Sequence, residues 1–184
     1  GKLCHDKGVY FHTDAVQAFG HIPLDVKAMN IDMLSLSGHK INGPKGVGVL
    51  YAKRGTLLTN LIEGGAQERG KRAGTENIPA ILSMAAAMKE ELETMETAAA
   101  KIIPLRDKLI AVLSEIPHSL LNGDRETRVR GTVNFCFEGI EGEAMPLLLD
   151  DKGVYASSGS ACTSGDLDPS HVLLAIGRVH DVAH

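Results

Sequence analysis

The chain has 184 residues, of which 43% are hydrophobic and 23% are charged, and its formal net charge is -4 at pH 7. Such a length and composition suit one large globular domain or two small ones. The slightly acidic balance excludes the basic surface of a nucleic-acid-binding protein, and no apolar run is long enough to span a bilayer. Three cysteines without a paired spacing indicate neither a disulfide framework nor a metal site, so a cytoplasmic protein without a bound metal is expected.

The N-terminal segment predicts the end of a helix closed by Gly8, followed by a buried strand over residues 9–14. Asp25 is expected to cap a short helix that runs to Asn30 and connects this strand to the next one. A connection of this βαβ type predicts an α/β fold with a largely parallel sheet. The incomplete first helix and the uncapped C-terminal end lead us to expect a piece of a longer protein.

An irregular loop lies between two apolar runs, the first ending at Ser37 and the second covering residues 46–52. The loop holds His39 and Lys40, and its tight turn predicts antiparallel pairing of the two strands. A lysine partly desolvated at a strand end is a nucleophilic amine, which covalent attachment of an aldehyde cofactor requires. Taken alone, the same lysine is most simply a solvated surface residue.

A carboxylate strengthens the cofactor interpretation. Asp14, at the predicted end of the first strand, could pair with the protonated ring nitrogen of pyridoxal phosphate. Gln17 follows at the predicted start of a short helix.

The middle of the chain changes from loop to helix. Residues 56–77 are rich in glycine and basic side chains and predict a loop, whose simplest interpretation is a solvated charged segment. From Pro79, apolar residues at three- and four-residue steps predict a packed helix face, which Pro104 interrupts or kinks. The two expected apolar stripes are Ile81, Met84, Ala85, Met88, Leu92, Met95 and then Leu105, Leu109, Val112, Leu113, Ile116.

The last third predicts a strand at 132–137, a helix at 142–150 and a short strand at 154–156. Cys136 lies in the apolar strand and is expected to be a buried small hydrophobe. Cys162 lies instead among small polar residues, so we expect an exposed thiol on a mobile loop.

Five motifs, in this order along the chain, resemble the cysteine desulfurases of the NifS/IscS type: residues 12–17, 37–40, 43–46, 72–77 and 157–165. The resemblance implies a fold-type-I pyridoxal phosphate-dependent transferase. Residues 1–97 would be the C-terminal part of its large cofactor-binding domain with the start of the linking helix. Residues 98–184 would be part of the small α+β domain that carries the catalytic cysteine loop.

The resemblance further implies a reaction in which sulfur is removed from L-cysteine, leaving L-alanine and a persulfide on Cys162. Lys40 would hold the cofactor covalently and move a proton. The remaining cofactor-binding residues would be Asp14 at the ring nitrogen, Gln17 at the phenolic oxygen, Ser37 and His39 at the phosphate, and Thr75 at the phosphate of a neighbouring subunit. A homodimer and a sulfur-acceptor protein, such as an iron–sulfur scaffold or a tRNA-thiolation protein, follow as partners.

Two departures from the family pattern keep alternatives open. The segments that would carry a ring-stacking histidine and a substrate-binding arginine are absent, and the context of Arg178 does not match that arginine, so the isolated chain is expected to be inactive. Another fold-type-I enzyme, an aminotransferase or a selenocysteine lyase, would share Asp14 and Lys40, although an aminotransferase has no use for Cys162. A fragment that acts only as a binding module is the third interpretation.

Overall fold

The computed structural model describes residues 1–140, 144–156 and 169–179. The chain divides into two compact units, Gly1–Ala100 and Lys101–His184, and each is described by itself. In the described parts of the chain, no helix combines the length and the apolar character that crossing a membrane requires.

The first helix, α1 (Lys2–Asp6), is closed by Gly8, as predicted. Gly8 has a φ of 65°, and its N–H donates to the carbonyl of His5, while the N–H of Val9 donates to the carbonyl of Cys4. A residue without a Cβ suits this left-handed position at a helix end. The predicted glycine closure is therefore confirmed.

A three-stranded sheet forms the centre of the first unit, in the order β1 (His12–Asp14), β2 (Met33–Ser37), β3 (Gly48–Ala52). Strand β1 runs parallel to β2, with Asp14 opposite Ser35. Strand β3 runs antiparallel to β2, with Gly48 opposite Ser37, which confirms the predicted pairing across the tight turn. The predicted strand over 9–14 is wrong in its length, because Val9 and Tyr10 are exposed and precede β1.

The two faces of this sheet differ in polarity, because side chains alternate along a strand. Leu34 and Leu36 point into the core, which also contains Ala15, Ile31, Ile41 and Met84. The other face carries four polar residues on β1 and β2, His12, Asp14, Ser35 and Ser37, beside the apolar Met33, Leu50 and Ala52. We call this second face the polar face.

The two short helices predicted between β1 and β2 are turns. Residues 16–21 form consecutive turns that include Gly20, whose φ is 78°. The carboxylate of Asp25 accepts hydrogen bonds from the N–H groups of Lys27 and Ala28 at 2.9 and 3.0 Å, as the predicted cap requires. The turn that it caps ends at Asn30, whose φ of 51° takes the chain out of the helical conformation, so no regular helix forms.

A single helix, α3 (Ile78–Leu113), covers 36 residues and continues through Pro104, so of the predicted interruption or kink the interruption is wrong. Proline removes one N–H donor, and the remaining hydrogen bonds of a long helix can maintain it. Met84 is only 2% exposed and Met88 packs against the same core, whereas Ile81 and Leu92 of the predicted stripe are exposed.

The second predicted stripe of α3 is also wrong, since Leu105, Leu109 and Val112 are exposed. The buried position is Ile110, at 1% exposure, which the spacing argument omitted. Two different faces of this part of α3 carry apolar residues at helical spacing. The spacing alone therefore does not indicate which face is buried.

The second unit contains a two-stranded antiparallel sheet of β4 (Ser119–Leu121) and β5 (Phe135–Phe137), with α4 (Ala144–Asp150) and α5 (His171–Ala175). Strand β4 and α5 were not predicted. Residues 154–156 are not a strand, and Tyr155 is 88% exposed. Residues 154–156 have no strand partner within the described residues. A β-strand requires a hydrogen-bonded neighbour, so this apolar run does not form one.

Candidate functional site

The polar residues predicted to be functional meet at one edge of the three-stranded sheet. Because β1 and β2 are parallel, their carboxyl ends lie at the same edge, and this is where ligands bind in open α/β sheets. Asp14 is the last residue of β1, and Ser37 is the last residue of β2. A single 3-10 turn, Gly38–Lys40, follows directly and carries His39 and Lys40. We call it the lysine turn.

Backbone contacts hold the lysine turn in place. The N–H of Gly38 donates to the carbonyl of Val47 at 2.9 Å, and the N–H of Gly43 donates to the carbonyl of Gly38 at 2.9 Å. A side chain at position 38 would lie 3.0 Å from the carbonyl oxygen of Pro44, so glycine permits this close approach. Ile41, which is buried, anchors the chain just after the turn. The backbone that carries Lys40 is therefore held in a fixed position.

The side chains at this edge are accessible. His39, Lys40, Asp14 and Gln17 are exposed, and Ser37 is half-buried. The expected partial desolvation of Lys40 is therefore wrong for this chain. One carboxylate oxygen of Asp14 accepts a 2.9 Å hydrogen bond from the N–H of Val16, which fixes the carboxylate at the start of the following turn.

Two further polar residues on this face received no role from sequence reasoning. His12 Nε2 lies 2.8 Å from Ser35 Oγ, which is a hydrogen bond between neighbouring parallel strands. His12 precedes Asp14 by two residues and Ser35 precedes Ser37 by two, so both pairs share the polar face. The two-residue alternation along each strand was the signal that could have identified them.

Thr75 lies in a separate structure, the segment 58–75, which we call the threonine loop. Among the described residues, no hydrogen bond links Thr75 to the lysine turn. Most residues of the loop are exposed, as its simplest interpretation requires, and hydrogen bonds cross it. Asn60 Nδ2 donates to the carbonyl of Gly70 at 2.6 Å, and Lys71 Nζ donates to the carbonyl of Leu58 at 3.1 Å.

The cysteines differ in how much the structure says about them. Cys162 lies outside the described residues. Cys136 is buried, as predicted, and its Sγ accepts a 3.0 Å hydrogen bond from Asn122 Nδ2. Cys4 is half-buried in α1.

The donor set at the sheet edge fits pyridoxal phosphate. The amine of Lys40 can react with an aldehyde, and the carboxylate of Asp14 can accept a proton shared with a ring nitrogen. The hydroxyl of Ser37 and the imidazole of His39 can bind phosphate oxygens. Asp14 ends β1, and Ser37, His39 and Lys40 follow one another at the end of the paired strand β2.

Comparisons with known proteins point in the same direction. The family profile described as aminotransferase class-V matches residues 1–181. The chain is 54% identical over 187 residues to the cysteine desulfurase IscS of Clostridium botulinum, and 52% identical over 184 residues to the cysteine desulfurase NifS of Azotobacter vinelandii. These alignments cover 100% of this chain but 47% and 46% of the two relatives, so the chain spans about half the length of the curated relatives it matches.

Among solved structures, the chain is similar to a NifS-like protein from Rickettsia africae, with a TM-score of 0.89 and 30% sequence identity. The superposition covers 99% of this chain and 48% of that one. The matches confirm the resemblance to the NifS/IscS type and the predicted fold class, a fold-type-I transferase dependent on pyridoxal phosphate.

Proposed function

Since the chain belongs to the aminotransferase class-V family, we propose that this protein is a cysteine desulfurase, which removes sulfur from L-cysteine and releases L-alanine. The observation that carries the proposal is the placement of Asp14 and Lys40 at the carboxyl ends of two parallel strands. An exposed amine and a carboxylate at one sheet edge are the two groups that this cofactor chemistry needs most. The names of the relatives at 54% and 52% identity supply the choice of reaction.

Each residue at the site has a proposed task. Lys40 holds the cofactor covalently and, as a free amine, moves a proton on the substrate. Asp14 keeps a proton on the ring nitrogen, and Gln17 donates to the phenolic oxygen. Ser37 and His39 bind the phosphate. When bound, pyridoxal phosphate withdraws electrons from the carbon atoms next to the substrate amine.

Cys162 is the proposed sulfur acceptor within the chain. Its thiolate takes the sulfur atom of L-cysteine as a persulfide, and the rest of the substrate leaves as L-alanine after gaining a proton at carbon. Atoms balance without an oxidant, because one thiol and L-cysteine become one persulfide and L-alanine. A thiolate is the reactive form of cysteine in such a transfer.

The partners and the organisation of the protein are part of the same proposal. We propose a homodimer in which Thr75 of one subunit binds the cofactor phosphate of the other, and a cytoplasmic location. An iron–sulfur scaffold or another acceptor protein would take the persulfide sulfur. Residues 1–97 are proposed as part of the cofactor-binding domain and residues 98–184 as part of the small domain.

The experiment that tests the proposal measures both products in the protein as its gene encodes it. L-Cysteine and pyridoxal phosphate are added, L-alanine is quantified, and the persulfide is located by mass spectrometry after alkylation. We expect one persulfide per active site, on Cys162, before an acceptor thiol is supplied. Amino-group transfer to a keto acid without persulfide would identify an aminotransferase instead, and neither product would favour a binding module.

A further inference from the structure

We propose that Gln67 is a positioning residue, whose side-chain oxygen fixes the backbone of Gly74 and thereby presents Thr75 to the cofactor phosphate. The inference rests on the proposed function, in which Thr75 binds that phosphate. Gln67 opens the short segment α2 (Gln67–Gly70) in the threonine loop.

The central contact is a hydrogen bond across the loop. The N–H of Gly74 donates to Oε1 of Gln67 at 3.1 Å, and the Gln67 side chain is half-buried. Gly74 has a φ of 102°, a conformation that glycine adopts without steric cost, and Thr75 follows it directly. Fixing the N–H of Gly74 therefore fixes the peptide plane between residues 73 and 74, one residue before Thr75.

A second side chain holds the same segment from its carbonyl side. Arg72 Nη1 donates to the carbonyl of Gly74 at 3.0 Å and to the carbonyl of Thr75 at 3.5 Å. Gln67 and Arg72 thus bind opposite polar groups of one short stretch of backbone. Because Gln67 is uncharged, its removal changes the position of Thr75 without changing the local charge that a phosphate would meet.

The position of the Gln67 side-chain oxygen requires that residue 65 carry no side chain. A methyl group at Gly65 would overlap Oε1 of Gln67, so glycine at 65 permits the hydrogen-bonded position of that oxygen. Ala73 is buried, and its N–H donates to the carbonyl of Ile62 at 3.3 Å. The segment before Thr75 is therefore tied to both sides of the loop.

The backbone of α2 is strained, which supports a functional role for this segment. Glu68 and Arg69 have φ values of 50° and 57°, in the left-handed region that side chains disfavour. Such residues persist only where surrounding contacts determine the conformation, and they cluster at functional sites. Here, the contacts are three cross-loop hydrogen bonds, which Gln67 accepts and which Lys71 and Asn60 donate.

The test uses pyridoxal phosphate and pyridoxal, which share the aldehyde and ring but differ in the phosphate. Dissociation constants for both are measured by absorbance in the protein as its gene encodes it. Gln67→Met removes the acceptor with little change in size, and Gly65→Ala displaces the same oxygen while Gln67 remains. We expect each to weaken pyridoxal phosphate binding roughly tenfold, the cost of about one misplaced hydrogen bond, and to leave pyridoxal binding unchanged.

Two controls separate this inference from the proposal beneath it. Thr59→Val, an exposed position of the same loop, should change neither constant. Thr75→Ala should reduce the preference for the phosphorylated ligand. If Thr75→Ala reduces that preference but Gln67→Met and Gly65→Ala do not, the positioning role is overturned. If Thr75→Ala has no effect, the phosphate role of Thr75 fails first and the inference fails with it.

Hydrogen exchange provides a readout that does not involve the cofactor. The Gly74 amide should exchange faster in cofactor-free Gln67→Met than in the unsubstituted protein, because its acceptor is gone. Unchanged exchange at Gly74 would also overturn the positioning role. If Gln67→Met does not fold, Gly65→Ala tests the positioning role by the same two measurements, the dissociation constants and the exchange rate of the Gly74 amide.

Discussion

Arg178 Nε donates a 2.5 Å hydrogen bond to Oδ1 of Asn122, joining two residues that are 56 positions apart in the chain. The same guanidinium donates through Nη2 to the carbonyl of Leu121 at 2.7 Å. Asn122 is 6% exposed, and its Nδ2 donates to Asn134 Oδ1 and to Cys136 Sγ. The buried amide is therefore fully bonded, and Arg178 attaches the segment after α5 to the end of β4.

Replacing Arg178 tests how much this attachment stabilises the second unit. Arg178→Met should lower the free energy of unfolding by about 1.5–3 kcal/mol, because a charged donor is lost and a buried acceptor on Asn122 remains. Arg125→Met is the matched control, since Arg125 is exposed in a nearby loop, and it should change stability by less than about 0.5 kcal/mol. Urea denaturation measures both values, and equal losses would contradict the assignment.

The core of the first unit gives a second stability prediction. Met84→Ala should lower the free energy of unfolding by about 2–5 kcal/mol, because it leaves a cavity among Ala15, Leu34 and Ile41. Leu82→Ala serves as the control on the same helix, as Leu82 is 65% exposed. A loss at position 82 as large as that at 84 would mean that the buried face of α3 is misassigned.

The sequence could predict those parts of the molecule that depend on short-range chemistry. The Gly8 closure, the Asp25 cap and the antiparallel partner of β2 all follow from residues a few positions apart. Burial along α3 could not be predicted in the same way, because Ile110 and Leu109 have similar apolar character and only the packed neighbours distinguish them. The strand expected at 154–156 failed for a related reason, since pairing requires a partner strand elsewhere in the chain.

At the candidate site, the same limit applies. The strand-end position of Asp14 and the turn carrying His39 and Lys40 could be predicted from local patterns. The hydrogen bond between His12 and Ser35 depends on how β1 lies against β2. The hydrogen bond between Gln67 and Gly74 could not be predicted either, because a glycine-rich basic segment does not indicate which side chain bonds to the backbone of the same loop.

Two exposed carboxylates should titrate below the ordinary aspartate pKa of 3.8. Hydrogen bonds from the backbone N–H groups of Thr127 and Glu126 lower the pKa of Asp124, and those of Ala28 and Lys27 lower the pKa of Asp25. A folded-state pKa below the unfolded one means that the stabilisation is present above pH 3.8 and is lost as pH falls through the folded pKa. Carboxyl NMR titration checks this, and midpoints at or above 3.8 would contradict it.

Removing the proposed sulfur acceptor should separate cofactor binding from sulfur transfer. Cys162→Ala should retain the absorbance of bound pyridoxal phosphate and form no persulfide, because the thiol acts on sulfur and not on the ring. Cys136→Ala is the comparison, since that thiol is buried and bonded to Asn122, and it should leave the persulfide in place. Alanine release at an unchanged rate from Cys162→Ala would move the search to Cys4 or Cys136.

The attachment of the cofactor gives the most direct test of the lysine turn. Borohydride reduction of the protein with bound pyridoxal phosphate should fix the cofactor to Lys40, and Lys40→Ala should abolish that label, because this amine follows β2 at the edge where Asp14 ends β1. Lys45→Ala is the matched control. Lys45 is also exposed, but it lies in the connection to β3, beyond Gly43 and outside the lysine turn. Peptide mapping of the reduced protein decides between the two, and a label on Lys45 that survives Lys40→Ala would overturn the assignment of the site.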